Sequence, residues 1–310
     1  MYYSGTATNY SDLLDKLITN ATATGNDWGL VEDFRNDASK LWVILKGIGN
    51  AGDEAIYVGI QKYFNTATDT FGLRLQGFTG YNAGVNFHSQ PGAINFDNSS
   101  NFIPTVPLWN DSIAYEFAIN RRRISCVAKV GTVYEAFYLG FLLPYSTKGQ
   151  QPYPLVVGGS AIGDVRYDNT SAHTHYVIPY NIGTTGSLRI RDKNGSWRSP
   201  QILTSGINVY QNAGTYPFAE LIANNQGWSN QVATPNSTGD IWLLKPVEVF
   251  DTSNADNFRG NRYGQLDGIF HIPGLSNAAE NTVTVASDTY TVYKNVFRSN
   301  PSEFWAFKRA

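Results

Sequence analysis

Leu41-Trp42-Val43-Ile44-Leu45, Ala55-Ile56-Tyr57-Val58-Gly59-Ile60 and Phe71-Gly72-Leu73-Arg74-Leu75-Gln76 are three short runs of strand character. The first ends at Gly47, and Gly49-Asn50-Ala51-Gly52-Asp53 supplies turn residues before the second. The third alternates with a period of two, the pattern of a strand with one face buried. Runs of this kind joined by short Gly- and Asn-rich connections read as an antiparallel meander.

Downstream the same grammar continues. Ile113–Ile119 and Ile124–Val130 flank Asn120 and the consecutive Arg121, Arg122 and Arg123, a hairpin with a basic tip. Val133–Tyr145 is so apolar and aromatic that periodicity leaves buried strand and helix both open. Pro144, Pro152 and Pro154 then punctuate the chain. Asp192-Lys193-Asn194-Gly195 signals a tight turn, and Thr282–Val285 and Thr289–Tyr293 flank another at Ser287-Asp288. Phe304–Phe307 reads as a last strand. Upstream, Ser11 is a candidate N-cap for one amphipathic helix whose apolar face is Leu13, Leu14, Leu17 and Ile18. The expected fold is mainly β: antiparallel sheets, as small barrels or a sandwich, with one short N-terminal helix. Two antiparallel units are expected, joined through Pro144–Pro154. In domain terms these are residues 1–162, a polar β insertion or peripheral subdomain at 163–240, and a C-terminal β unit at 241–310 that completes the core. Tyr81–Pro107 and Gly163–Asp240 read as long polar arms poor in core-forming residues.

The 310 residues are 42% hydrophobic, enough for a large core, but only 15% charged, against roughly a quarter in ordinary soluble domains. The surface must then be covered largely by Asn, Thr, Ser, Gly and Tyr. A net charge of -2 provides no field to attract nucleic acid or an anionic membrane. The lone Cys126 excludes an internal disulfide framework. No apolar run approaches the ~20 residues that span a bilayer. The first residues resemble no secretory signal, so the chain reads as made in a reducing cytoplasm.

Few residues form a chemical constellation. Gly158-Gly159-Ser160 lacks the Lys and the following helix of a phosphate loop and reads as a glycine turn at a strand end. Cys126 sits mid-strand and reads as a buried structural thiol. His173 and His175, two apart in a strand, share a face and could bind a cation if a three-fold assembly brought six together; surface histidines are the plainer reading. Asp251, Asn254, Asp256 and Asn257 miss the calcium-loop spacing. Glu116 and Glu135 could sit on neighbouring strands as a hydrolytic carboxylate pair, although solvated or ion-paired glutamates are the plainer reading. No cofactor is expected. The Arg121–Arg123 tip reads as an intersubunit ion-pair site. Nineteen tyrosines among the aromatic residues mark a surface made to be buried against partners.

One set of segments resembles a known family. Gly264-Gln265-Leu266-Asp267-Gly268-Ile269-Phe270 with His271–Gly274, then Ala278-Ala279-Glu280-Asn281-Thr282-Val283-Thr284-Val285, then Tyr290–Arg298, resembles the closing segment of virion structural proteins of tailed bacteriophages. Tyr134–Tyr145, Gln151–Ser160, Trp42–Gly47 and Ile56–Ile60 resemble the same proteins. Tyr293 and the Ser287-Asp288 turn depart conservatively from the Phe and Gly-Gly of that pattern. The resemblance implies a tail or baseplate protein, made in the host cytoplasm and carried in the virion. It implies a symmetric homo-oligomer, a trimer or hexamer, contacting other tail proteins, with neither nucleic acid nor membrane as partner. Expected interface residues are Arg121, Arg122, Arg123, Tyr81, Phe87, Phe96, Phe102, Tyr290 and Tyr293, with the two arms as contact elements. The alternative is a glycan-binding or glycan-cleaving adhesin with Trp109, Trp197 or Trp228 as sugar platform.

Overall fold

The chain is mainly β, as expected, and its strands form three open antiparallel sheets. The computed structural model describes residues 1–94, 103–147, 150–151, 153–170, 187–192, 194–198, 201–203, 244–251, 261–272, 274, 277–294, 296–297 and 304–309. In chain order, β1 (Tyr2–Ala7) leads into α1 (Tyr10–Ala21). The meander follows as β2 (Gly29–Asp33), β3 (Trp42–Gly47), β4 (Ile56–Asn65), β5 (Thr70–Phe78) and β6 (Pro104–Leu108). Then come β7 (Ile113–Ile119), β8 (Arg123–Val130), β9 (Val133–Phe141), β10 (Leu143–Pro144), β11 (Leu155–Gly158) and β12 (Ala161–Ile162). Short strands β13 (Leu188–Arg191), β14 (Trp197–Arg198) and β15 (Gln201–Leu203) precede β16 (Lys245–Asp251) and β17 (Asn261–His271). The chain closes with β18 (Thr282–Val285), β19 (Asp288–Lys294) and β20 (Phe304–Lys308).

A central sheet is ordered β1-β7-β8-β9-β11-β13-β14, a meander sheet β12-β6-β5-β4-β3-β2, and a C-terminal sheet β15-β16-β17-β20-β19-β18 with β10 also on β17. Strand alternation then distributes the core. Phe117, Ile124, Cys126, Phe137 and Leu139 leave one face of the central sheet and pack on Val43, Val58, Leu73 and Val106 of the meander sheet. Val127, Tyr134, Tyr138, Val156 and Ile190 leave the other face and pack on Val249, Leu266, Ile269, Tyr293, Trp305 and Phe307. The inner strands of the central sheet are therefore buried on both sides. That explains Val133–Tyr145: all nine residues of β9 are buried, so it shows no alternation.

Helix α1 plugs one end of the first interface with Leu13, Leu14, Leu17 and Ile18. Its cap is Asn9, two residues before the expected Ser11; the Asn9 side chain accepts from the N–H groups of Ser11 and Asp12.

Several expectations are corrected. Residues 144–154 do not link two units, because the chain leaves the central sheet at β9, adds β10 to the C-terminal sheet and returns as β11. The Tyr81–Pro107 segment is not a free arm over its described residues. Phe87 is wholly buried on the outer face of the meander sheet with Trp42, Ile44 and Phe78. Gln90 bonds Asn82 and Val85, Gln76 exchanges two bonds with Ile94, and Pro104–Leu108 is a buried strand. Within 163–240, β13 and β14 belong to the central sheet and β15 to the C-terminal sheet. The expected turn does join β13 to β14, with Gly195 at φ +82. The C-terminal hairpin turns at Ala286-Ser287, one residue early, and Asp288 already pairs with Val285.

Gly158-Gly159-Ser160 is the corner where the chain passes from β11 in the central sheet to β12 in the meander sheet. Gly159 donates to Ser187 O, Ser160 donates to Thr105 O, and the Ser160 hydroxyl bonds both backbone groups of Ala136. A β-carbon at 159 would stand 2.3 Å from Thr105 O, which is backbone. Gly159→Ala should cost about 2–3 kcal/mol, an overpacking penalty, measured by urea denaturation. Cys126 lies between the sheets, and burial pushes its thiol well above the ordinary range. It should resist thiol reagents in the native protein and react at the rate of unfolding.

Candidate functional site

Of the three arginines after Asn120, Arg121 and Arg122 lie in the turn between β7 and β8 and Arg123 opens β8, and each reaches a different part of the chain. Arg121 Nε lies 2.6 Å from Asp27, ahead of β2; Arg122 Nε lies 3.2 Å from Glu54, ahead of β4; Arg123 Nε lies 2.8 Å from Asp267 in β17. The tip was expected to bind another subunit. Instead its charges are paired within the chain, stapling both outer layers to the central sheet. Arg123 is the buried member: its Nη1 also donates to Ala118 O and to the Ser125 hydroxyl. Asn120 Nδ2 donates to Asp267 at 2.7 Å. Burial alone would raise the Asp267 carboxyl, but Arg123 and Asn120 outweigh it and hold it below the ordinary carboxylate range.

Two concavities accompany these contacts, the first beside the staple at Arg122 and Glu54. A groove of about 510 Å³ has an apolar floor of Phe141, Tyr153, Pro144 and Pro154, with Asp53, Glu54 and Arg122 on its rim. The Tyr153 hydroxyl is already engaged, donating to Ala55 O and Thr79 O. A cleft of about 340 Å³ opens between β1 and β7 of the central sheet and β19 of the C-terminal sheet. Glu116 lies there within reach of Tyr2 and Tyr293, and Arg309 Nη2 stands 3.8 Å away. On the far side Lys129 and Tyr134 donate to Glu280 at 2.5 and 3.0 Å. Lys129 above all pulls the Glu280 carboxyl down, and burial pushes the Tyr293 hydroxyl up. Glu280 stood in one of the segments that carry the resemblance but with no role of its own, and Arg309 and Lys129 carried no motif. Their meeting depends on the stacking of two sheets, for which the sequence holds no local signal.

The other expected residues are placed as follows. Tyr290 and Tyr293 are core residues of the C-terminal sheet, Tyr290 edge-on to Phe270 and Tyr293 between Tyr134 and Trp305. Tyr81 packs on the cluster around Phe87, and its hydroxyl donates to Glu32 at 3.3 Å. Phe87, Tyr290 and Tyr293 are thus used inside the chain rather than offered to a partner. Phe96, Phe102, His173, His175, Asn254, Asp256, Asn257 and Trp228 lie outside the described residues. Glu116 and Glu135 do not form a hydrolytic pair. Glu116 opens into the cleft toward the C-terminal sheet, whereas Glu135 is fully buried on the meander side, in line with Val133 and Phe137. Arg123 and Cys126 likewise face opposite sides of β8, so Arg123 does not adjoin the thiol. Trp109 donates to Ser112 O and packs edge-on to Tyr167; Trp197 donates to Gly92 O.

Among the described residues no group of three His, Cys, Asp or Glu is placed to hold a metal ion, and no helix is long and apolar enough to cross a membrane. No protein-family model matches the chain, and no curated protein matches it.

The Arg123–Asp267 pair generates a stability prediction. Asp267→Ala leaves a buried guanidinium uncompensated and should cost about 3–5 kcal/mol. The Asp267 carboxyl is depressed in the fold, so its contribution is full above the unfolded value of about 3.9 and is lost as pH falls through the lower folded value. Denaturation curves from neutral pH down to acid should therefore converge for the native chain and the variant.

Proposed function

We propose that this chain is a structural component of a tailed-phage virion, at the tail or baseplate, where it bridges tube or sheath to hub and fibre proteins. The observation that carries the reading concerns the segments resembling virion proteins. They lie far apart in sequence, yet two of them pack on one another: Tyr134, Ala136, Tyr138 and Leu142 meet Leu266, Ile269 and Tyr293 across one interface. Segments that share a resemblance and a contact are what one inherited architecture would leave. The low charge supports an assembly role, since neighbouring copies repel little. The separation of Glu116 from Glu135 takes away the carboxylate pair on which the glycan-cleaving alternative rested.

The protein would act without turnover, in three, six or more copies. Its contacts would rest on aromatic burial and neutral hydrogen bonds rather than on ion pairs. Mass spectrometry and electron microscopy of purified particles test this: the chain should be present at a fixed stoichiometry, and its absence would end the reading. Association should also survive about 1 M salt, where the Debye length falls to about 3 Å. Dissociation under those conditions would show that charge, not neutral contact, holds the assembly.

A further inference from the structure

The C-terminal sheet ends at β18, and among the described residues no strand lies beyond it. Its four residues, Thr282-Val283-Thr284-Val285, carry neither charge nor proline, and three of them are exposed, Val285 to 45%. Open edges in monomeric proteins are ordinarily blunted by charge, proline or a bulge. The edge strand β2 of the meander sheet shows that treatment, with Glu32, Asp33 and a register shift between Leu30 and Glu32. Strand β18 carries no charge or register shift between Thr282 and Val285, and the chain enters it through a bulge at Glu280 and Asn281, where Glu280 N–H donates to Val292 O and Val292 N–H donates to Asn281 O.

The direction of its free backbone groups follows from the ladder. Val292 N–H donates to Asn281 O at 2.8 Å, and Val283 pairs with Tyr290 and Val285 with Asp288. Hydrogen-bonded pairs alternate in an antiparallel ladder, so Asn281, Val283 and Val285 turn their backbone groups inward to β19. The N–H and C=O groups of Thr282 and Thr284 then point outward.

We propose that β18 is an assembly edge that pairs with β18 of a second copy of this chain, antiparallel about a two-fold axis. Centred on Val283, this pairing sets Val283 of one copy against Val283 of the other. It lets Thr282 of each copy exchange hydrogen bonds with Thr284 of the other. The Val283–Val283 and Thr282–Thr284 pairs are β-branched and uncharged, Val285 meets the uncharged Asn281 of the other copy, and the strand is complementary to itself. A chain of net charge -2 adds little repulsion between copies. Beside this edge the cleft holding Glu116 and Arg309 brings Ser4 and Gly5 of β1 to the same flank. That strand is likewise the uncharged edge of its sheet, so a docking copy meets two open edges together. The choice of a second copy as occupant rests on the multimeric reading above. A two-fold contact needs an even number of copies, which favours six over three.

Sedimentation of the full chain over a concentration series tests the edge. Thr284→Pro removes only an outward N–H and leaves the ladder to β19 intact. It should keep the circular dichroism spectrum and weaken self-association by about tenfold or more. Val285→Lys, at an exposed position, should do the same and serves if the proline variant fails to fold. A native chain that stays monomeric throughout, or folded variants that associate as tightly as the native chain, would overturn the proposal. Virion incorporation is scored separately, so a failed edge and a failed virion reading give different results.

Discussion

A sheet whose inner strands are covered on both faces constrains everything packed around it. Strands β8, β9, β11 and β13 must present apolar groups in both directions, and any polar group that enters must bring its partner along. Ser160 and Ser187 meet this demand by bonding backbone groups at the corner between sheets, and Arg123 meets it with Asp267, Ala118 and Ser125. The outer sheets have more freedom. Each keeps a second face, and a small satellite cluster lies there, around Phe87 on the meander sheet and around Val292 on the C-terminal sheet.

The same constraint decides how much could be read from the amino acids. Strands β3, β4, β5, β7 and β8 and the apolar face of α1 are legible because each carries a local pattern. Strand β9 is not, because burial on both faces erases the alternation that would identify it. The layering was also hidden. β1 pairs with β7 across more than a hundred residues, and β20 inserts between β17 and β19. No window of sequence contains such a relation.

The site suffered from a second blindness, in how polar residues were interpreted. Composition makes Tyr81–Pro107 look like a free arm, yet the Gln90 amide folds it on itself by bonding the backbone of Asn82 and Val85, and the Gln76 amide ties Ile94 onto the meander sheet. Three adjacent arginines look like an offer to a partner, while Asp27, Glu54 and Asp267 wait in three distant parts of the chain. In a protein with so few charges, charged residues are used sparingly outside and tellingly inside. The cleft follows the same logic: Lys129 and Glu280, and Arg309 and Glu116, come from different sheets.

The place of β1 has a consequence for how the molecule is made. It leaves the ribosome before the meander strands, but its ladder partner among the described residues, β7, begins at Ile113. The meander strands β2 to β5 can pair with one another as they emerge, since each meets its neighbour within a short stretch of chain. Strand β1 must wait, and α1 with it, for the surface that buries Leu13 and Leu17 includes Ile113 and Phe117. Closing so long a loop is entropically expensive and slow, so the amino-terminal segment docks late, onto a sheet already begun by the β7–β8 hairpin. Strands β16 to β20, made later than the central sheet's long strands, then cover the other face. The order of synthesis and the order of layering therefore differ, and the central sheet spends part of its assembly with one apolar side uncovered, open to chaperones.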